Sequence, residues 1–322
     1  MTDKITEDAV ELLAIDLLEE QDYSYIFAPT IAPESDSPER LSFSDVVLIE
    51  RLRNAIDTIN PDIPLDAREQ ALKEVLNLPT QDLVTNNEAF HLMLADGIEV
   101  EYNVDGNLKG GKVWLIDYDN LNENDFLVCN QFTIIEENVN KRPDIVIFVN
   151  GLPLVVIELK NAADENATVK KAYTQLQNYK KAVPSLFYYN SLLVASDGFD
   201  AKVGSLTSGW SRFHAWKSID GEIESSSTTP QMETLIRGML RKDVLIDLIR
   251  HFTVFEKFKK EDTETGITTI TTEKKIAAYH QYYAVNKAVV STQKAITKGD
   301  GKGGVIWHTQ GSGKSLSMVF YA

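Results

Sequence analysis

The sequence predicts an α/β (α+β) chain: a mixed central sheet flanked by helices, then a helical linker and the start of a second α/β unit. Three observations carry that reading. The first 77 residues place apolar side chains at helical spacing. Residues 98–159 switch to short apolar runs separated by turn residues. Helical spacing then returns over 166–182. At roughly 100–200 residues per domain, 322 residues allow two or three domains with ample core. A hydrophobic fraction of 43% with 25% charged residues excludes a disordered or coiled-coil chain.

Taken in order, residues 5–20 set Ala9, Leu12, Leu13, Ile15, Leu17 and Leu18 on a broad apolar face, as an amphipathic helix would. A polar loop containing Pro38 follows, then helical patterns around 43–58 and 65–77. From 98 to 135 the alternating runs read as strands, with turns at Asn107 and at Gly110-Gly111. Two further strands, 145–149 and 154–159, flank Asn150-Gly151, a strong short hairpin signal. Residues 166–182 are helical, and 192–195 form a short buried strand. A Ser/Thr-rich linker at 225–230 leads into two helical stretches, 231–260 and 273–295, separated by a Thr-rich loop. Residues 297–304 form a flexible joint, and 305–308 read as a strand feeding a Gly-rich loop. No internal repeat is present.

The chain is acidic, with net charge −16. Taken alone, that argues against a free-standing DNA-binding protein. The charge is unevenly placed, however. The first 50 residues hold 13 acids and two bases, whereas residues 141–260 hold 17 bases and 13 acids. The acidic front is either a solvated helix and loop or a helix that lends a carboxylate to a site. The longest apolar runs are far below the ~20 residues needed to span a bilayer. The first residues lack the basic-then-apolar order of a secretory signal. Cys129 is the single cysteine, so no intrachain disulfide is available, and no Cys/His spacing suggests zinc. A reducing cytoplasm is the expected location. The five histidines read as structural or surface residues, and Trp210 and Trp216 as core rather than base-stacking groups.

The stretch from Arg142 to Lys160 is the most informative. Side chains alternate faces along a strand, so Glu158 and Lys160 point the same way. The apolar run 154–157 indicates a strand buried on both faces. Charged groups at the end of such a strand are costly unless paired or metal-bound. Asp144 begins the partner strand. Carboxylates that hold Mg²⁺ beside an ammonium suit phosphodiester cleavage, because the metal acidifies water and the lysine stabilises negative charge. The bland alternative is a structural ion pair. The geometry makes one demand. A regular two-residue loop at Asn150-Gly151 pairs Asp144 with Ile157 and turns it away from Glu158, whereas a three-residue loop (150–152) pairs it with Glu158. The sequence therefore predicts an odd loop or a bulge. On the following helix, Gln175 and Tyr179 share a face.

Near the C-terminal end, residues 307–315 read WHTQGSGKS. Gly311 and Gly313 let backbone amides approach phosphate oxygens, Lys314 reaches the β/γ-phosphates, and Ser315 can ligate Mg²⁺. His308 stands where the P-loop pattern has Gly. Gln281 lies 33 residues before Lys314 and resembles the adenine-reading glutamine of superfamily 2 helicases. No acidic metal-binding element, arginine finger or second motor domain follows, so the chain is expected to be a piece of a longer protein that cannot complete an ATPase cycle.

Pro143-Asp144 with Glu158-Leu159-Lys160 resembles the PD-(D/E)xK nuclease signature, and Gln175 with Tyr179 resembles the QxxxY element of RecB-like nucleases. Joined to the start of a helicase motor, they resemble the restriction (R) subunit of type I restriction-modification enzymes. The likeness extends through Leu115-Ile116-Asp117, Asn124-Asp125-Phe126, Gln131-Phe132 and Ser196-Asp197-Gly198. It implies a restriction-endonuclease-like domain over 1–225, a helical linker with the adenine-reading segment over 226–295, and the start of a RecA-like motor over 296–322. It further implies that Asp144 and Glu158 ligate Mg²⁺, that Lys160 assists hydrolysis, and that Gln175 and Tyr179 border the site. A glutamate on the first helix can complete the metal site. Glu11 and Glu7 are both candidates, and Glu11 is the working third ligand. ATP with Mg²⁺ would serve the motor. Double-stranded DNA and the methyltransferase (M) and specificity (S) subunits would be partners, with no membrane involved. The competing readings are a DNA-repair or defence nuclease–helicase and a non-catalytic assembly module with a degenerate nuclease fold.

Overall fold

Thr6 caps the first helix, α1 (Glu7–Glu19), by accepting the Ala9 amide through its hydroxyl at 3.3 Å. The computed structural model describes residues 6–161, 168–261, 268–299 and 301–322. Residue 5 of the expected first helix, residues 166–167 of the expected helix 166–182, the centre of the Thr-rich loop and Asp300 of the expected joint lie outside them. The buried face of α1 is Val10, Glu11, Ala14, Ile15, Leu17 and Leu18. Ala9, Leu12 and Leu13 are exposed, against expectation. The broad apolar count overstated the face, because only one stripe of a helix on a sheet meets the core.

Next come β1 (Ser24–Phe27), α2 (Ile49–Ile59), α3 (Leu65–Leu76) and α4 (Leu83–Asp96), the last a helix that the residue pattern does not announce. A hairpin follows, β2 (Ile98–Val104) with β3 (Asn107–Val113). Its turn is at Asp105 and Gly106, both with positive φ, so Asn107, Gly110 and Gly111 belong to a strand rather than to turns. An Asp-Gly pair supplies the left-handed backbone that a tight hairpin needs. The chain continues through β4 (Phe126–Asn130), the short hairpin β5 (Ile134–Glu136) and β6 (Val139–Lys141), then β7 (Ile145–Val149) and β8 (Leu152–Leu159). Two helices, α5 (Val169–Ala182) and α6 (Pro184–Tyr188), precede β9 (Leu192–Ser196) and β10 (Ala201–Gly204).

Six of these strands form one mixed sheet in the order β1-β4-β7-β8-β9-β10. The pairs β1–β4 and β8–β9 are parallel, and the others antiparallel. Strands β4, β7, β8 and β9 are buried along their whole length, which matches their unbroken apolar runs. Gly151 closes the β7–β8 turn with φ 78°, and a Cβ there would sit 2.4 Å from the Leu48 carbonyl, so glycine is required.

The segment 225–230 has no regular structure, as expected of a linker. Beyond it lie α7 (Gln231–Gly238) and α8 (Lys242–His251), then an antiparallel pair, β11 (Thr253–Glu261) and β12 (Thr268–Ile276), and finally α9 (Tyr279–Lys298) and α10 (Lys314–Tyr321). The expected helices 231–260 and 273–295 are therefore each cut by a strand. β12 reads TTITTEKKI, and its β-branched Thr and Ile favour a strand over the helix that the surrounding residues suggest. The expected strand at 305–308 is not regular structure and has no partner strand among the described residues. Helices α7 and α8 and the first turns of α9 share one hydrophobic core with the sheet, through Leu235, Leu245, Ile249, Tyr282 and Val285. Among the described residues, no helix is long and apolar enough to cross a membrane.

Candidate active site

The β7–β8 hairpin has the two-residue turn that would have separated the carboxylates, and a bulge that brings them back. Val149 pairs with Leu152 and Phe148 with Pro153, but Ile147 pairs with Val155 and Ile145 with Ile157. Leu154 is the extra residue. It moves the register by one, so Asp144 falls opposite Glu158. The carbonyl of Leu154 accepts the Ser191 amide at 2.7 Å and Asn190 Nδ2 at 3.3 Å, so the bulge leaves no orphaned acceptor. The expectation of an odd loop or bulge is met by the bulge.

Carboxylate oxygens of Glu7, Asp144 and Glu158 lie within 4.8 Å of one another. Asp144 Oδ2 accepts the Leu159 amide at 2.6 Å, which ties the two strand ends together. Lys160 Nζ donates to Glu158 Oε1 at 2.8 Å, to Glu7 Oε1 at 3.1 Å and to the Leu159 carbonyl at 2.6 Å. Burial, then the neighbouring carboxylates, push Asp144 up to about 6 and Glu158 up to about 8. Burial opposes the charge on Lys160, but Glu158 beside it outweighs burial and raises its pKa. Glu158 is fully buried, and among the described residues its Oε2 has no hydrogen-bond partner. A buried, unpartnered carboxylate oxygen within reach of two more carboxylates suits a hard divalent cation such as Mg²⁺. The residues fit the metal.

Of the two first-helix glutamates, the structure brings Glu7 to the cluster. Glu11, the working ligand from sequence, is instead held by Asn130 Nδ2 at 2.6 Å and Gln131 Nε2 at 2.8 Å. Positions 7 and 11 lie one helical turn apart, so spacing could not separate them. What decides is the amide pair closing β4, which turns Glu11 into an anchor for α1. The signal was present as Asn130-Gln131 after the apolar run 126–129.

Gln175 Nε2 donates to the Tyr179 hydroxyl at 2.5 Å, which donates to the Arg142 carbonyl at 3.3 Å. Burial, then the charge of Glu158, raises the phenol pKa, so Tyr179 stays a neutral donor. The expected pair thus lies against the site and grips the chain two residues before Asp144. Trp216 is buried in the core, as expected.

Gln281 and the Gly-rich loop are also brought together. Gln281 Oε1 accepts the Ala278 amide at 2.9 Å, and its Nε2 donates to the Gly313 carbonyl at 3.0 Å. Gly311 and Gly313 have φ of 81° and 76°. A Cβ on Gly313 would sit 2.5 Å from Gln281 Nε2. Lys314 Nζ donates to the carbonyls of His308 and Thr309 at 3.0 and 2.9 Å, and Ser315 is exposed in the first turn of α10.

Residues 4–212 match the family described as Type I restriction enzyme R protein N terminus, and residues 280–322 match the SWI2/SNF2 ATPase family. A Haemophilus influenzae protein named Type I restriction enzyme HindI endonuclease subunit is 40% identical over 322 residues, taking in 99% of this chain and 30% of its own length. A Methanocaldococcus jannaschii protein named Putative type I restriction enzyme MjaIXP endonuclease subunit is 34% identical, over 99% of this chain and 31% of its own length. In Staphylococcus aureus, the SauCOLORF180P endonuclease subunit is 26% identical over 61% of this chain. The chain spans under a third of the length of these relatives.

Proposed function

Because the chain belongs to the family of type I restriction enzyme R proteins, we propose that its carboxylate cluster is the Mg²⁺-dependent nuclease centre of a type I restriction endonuclease subunit. The complete protein, in this reading, cuts unmodified double-stranded DNA delivered by an ATP-driven motor. Methyltransferase and specificity subunits complete the assembly and read the recognition sequence. The reading rests on one observation above all: Glu7, Asp144 and Glu158 converge beside the Lys160 ammonium, and one buried Glu158 oxygen is left without a partner among the described residues.

Mg²⁺ held by Glu7, Asp144 and Glu158 would polarise a phosphoryl oxygen and acidify water. The remaining work falls to the chain's own groups. Lys160 stays protonated and stabilises the charge that builds on the phosphoryl oxygens and the departing oxygen. The apolar core of β7 and β8 keeps the site dry on one side, which strengthens that interaction. Tyr179, steadied by Gln175, fixes the backbone entering Asp144. Lys314, Ser315 and the glycines of the loop are assigned to the nucleotide phosphates, and Gln281 to the adenine. Phosphate oxygens would replace the two loop carbonyls that now hold Lys314.

The test is ATP-dependent cleavage of unmodified DNA by the complete assembly, comparing wild type with Asp144→Ala and Lys160→Ala. Both variants should lose cleavage, by at least about a hundredfold. Cleavage retained by both refutes the assignment.

A further inference from the structure

Beside the carboxylates, between β6 and α5, lies a cleft of about 540 Å³ lined by Asn140, Lys141, Arg142, Gln175, Asn178 and Tyr179. Every one of these side chains carries a polar atom, and two are cations. Among the described residues, Arg51, Arg53, Arg68, Arg237 and Arg241 all sit in ion pairs. Among those same residues, neither Lys141 nor Arg142 has a carboxylate partner. Tyr179 forms one wall of the cleft and bonds the Arg142 carbonyl, and Arg142 precedes Asp144 by two residues. An extended chain covers no more than about 7 Å in that distance.

The electrostatics of the site require such a neighbour. Three carboxylates and one ammonium leave the cluster negative unless metal is bound, and a phosphodiester strand approaching it is repelled. Cations within a few residues of Asp144 offset that repulsion where the substrate must lie. Guanidinium and ammonium groups are the usual holders of phosphate oxygens, and the amides of Asn140, Gln175 and Asn178 can add neutral donors.

We propose that this cleft seats the sugar–phosphate backbone of the strand being cut, with Lys141 and Arg142 each holding a phosphate next to the scissile one. Both groups would grip the backbone rather than base edges, so they position the strand without selecting its sequence. This assignment rests on the nuclease reading above and adds to it the surface that aligns the substrate.

The experiment uses the complete R protein with its methyltransferase and specificity partners, ATP and Mg²⁺, and compares wild type, Lys141→Ala/Arg142→Gln, Arg142→Lys and Asp144→Ala. Cleavage of unmodified duplex is followed over about 50–200 mM salt. The double variant should cut about tenfold more slowly for each phosphate-holding cation removed. Its log-rate against log-salt slope should be shallower by about two. The Mg²⁺ concentration giving half-maximal rate should be unchanged, and Arg142→Lys, which keeps the charge but loses the guanidinium fork, should lose less rate than the double variant and keep the wild-type slope. If Asp144→Ala is silent while the double variant matches wild type in rate and slope, the cleft assignment alone is overturned. Slower cutting with an unchanged slope, or equal damage from Arg142→Lys and the double variant, also overturns it. If Asp144→Ala cuts like wild type, the nuclease reading fails and this inference fails with it.

Discussion

Asp144 and Glu158 sit where charge is disfavoured by burial and by each other, and both hold their protons far above the ordinary carboxylate range, to about 6 and about 8. A carboxyl whose folded pKa is raised binds its proton more tightly folded than unfolded. Its contribution to stability is full at low pH and is lost as pH rises through the folded value. In chelator, the melting temperature should therefore fall between pH 5.5 and 7. Asp144→Asn should remove much of that slope and stabilise the metal-free chain at pH 8 by on the order of 2 kcal/mol. Mg²⁺ competes with these protons, so its stabilisation of wild type should grow with pH and be lost in Asp144→Asn. Calorimetry with and without Mg²⁺ checks both, and a wild-type melting temperature flat from pH 5.5 to 7 in chelator would refute the account. At this scale the sequence was informative about Asp144, Glu158 and Lys160, because strand alternation fixes which way each points. It was silent on Glu7 against Glu11, since the choice is made by Asn130 and Gln131 from a strand more than a hundred residues away.

The hairpin of β11 and β12 is the element that sequence patterning misread, and it is docked by an unusual group. Lys274 is 2% exposed, and its Nζ donates to Asn87 Oδ1 at 2.9 Å and to the Asn190 carbonyl at 2.8 Å, with no carboxylate partner among the described residues. Burial lowers its pKa to about 7. A lysine depressed in the folded state contributes stability above its unfolded value that is lost as pH falls through the folded one. Replacing it with Lys274→Met should flatten the rise in melting temperature between pH 8 and pH 9 relative to wild type. Thermal melts of the two proteins in parallel would show it, and parallel curves would sink the idea. The same bonds explain what sequence could not show. Asn87 lies on α4, Asn190 before β9 and Lys274 on β12, so their partnership exists only after three distant segments meet. Strands β7 to β9 were legible because burial on both faces demands unbroken apolar runs. Strands β2 and β3 were legible too, apart from the place of their turn, whereas β11 and β12, each with a wet face, carry mixed residues that fit helix and strand alike.

For the whole molecule, the acidic front turns out to serve the site. Helix α1 is acidic, yet it supplies Glu7 to the cluster and Glu11 to the β4 amides. The body around the cleft is mildly basic, with 17 Lys and Arg against 13 Asp and Glu over 141–260. A chain with net charge −16 offers few holds to a polyanion. By itself it should bind duplex DNA no more tightly than about 1 μM at physiological salt. Fluorescence anisotropy would measure this, and nanomolar binding by this stretch alone would contradict it. The bulge at Leu154 has a consequence for descent. Asp144 and Glu158 face one another only because the hairpin between them carries one residue more than a regular ladder allows. A lineage that inserts or deletes a single residue there sends one carboxylate to the opposite face and loses the cluster at a stroke. Changes of two residues, or of one residue offset by gain or loss of the bulge, preserve it. Gaps between these two acids in related chains should therefore be even-numbered wherever the bulge is kept, a parity constraint that a genealogy of such sequences would carry without any residue being invariant.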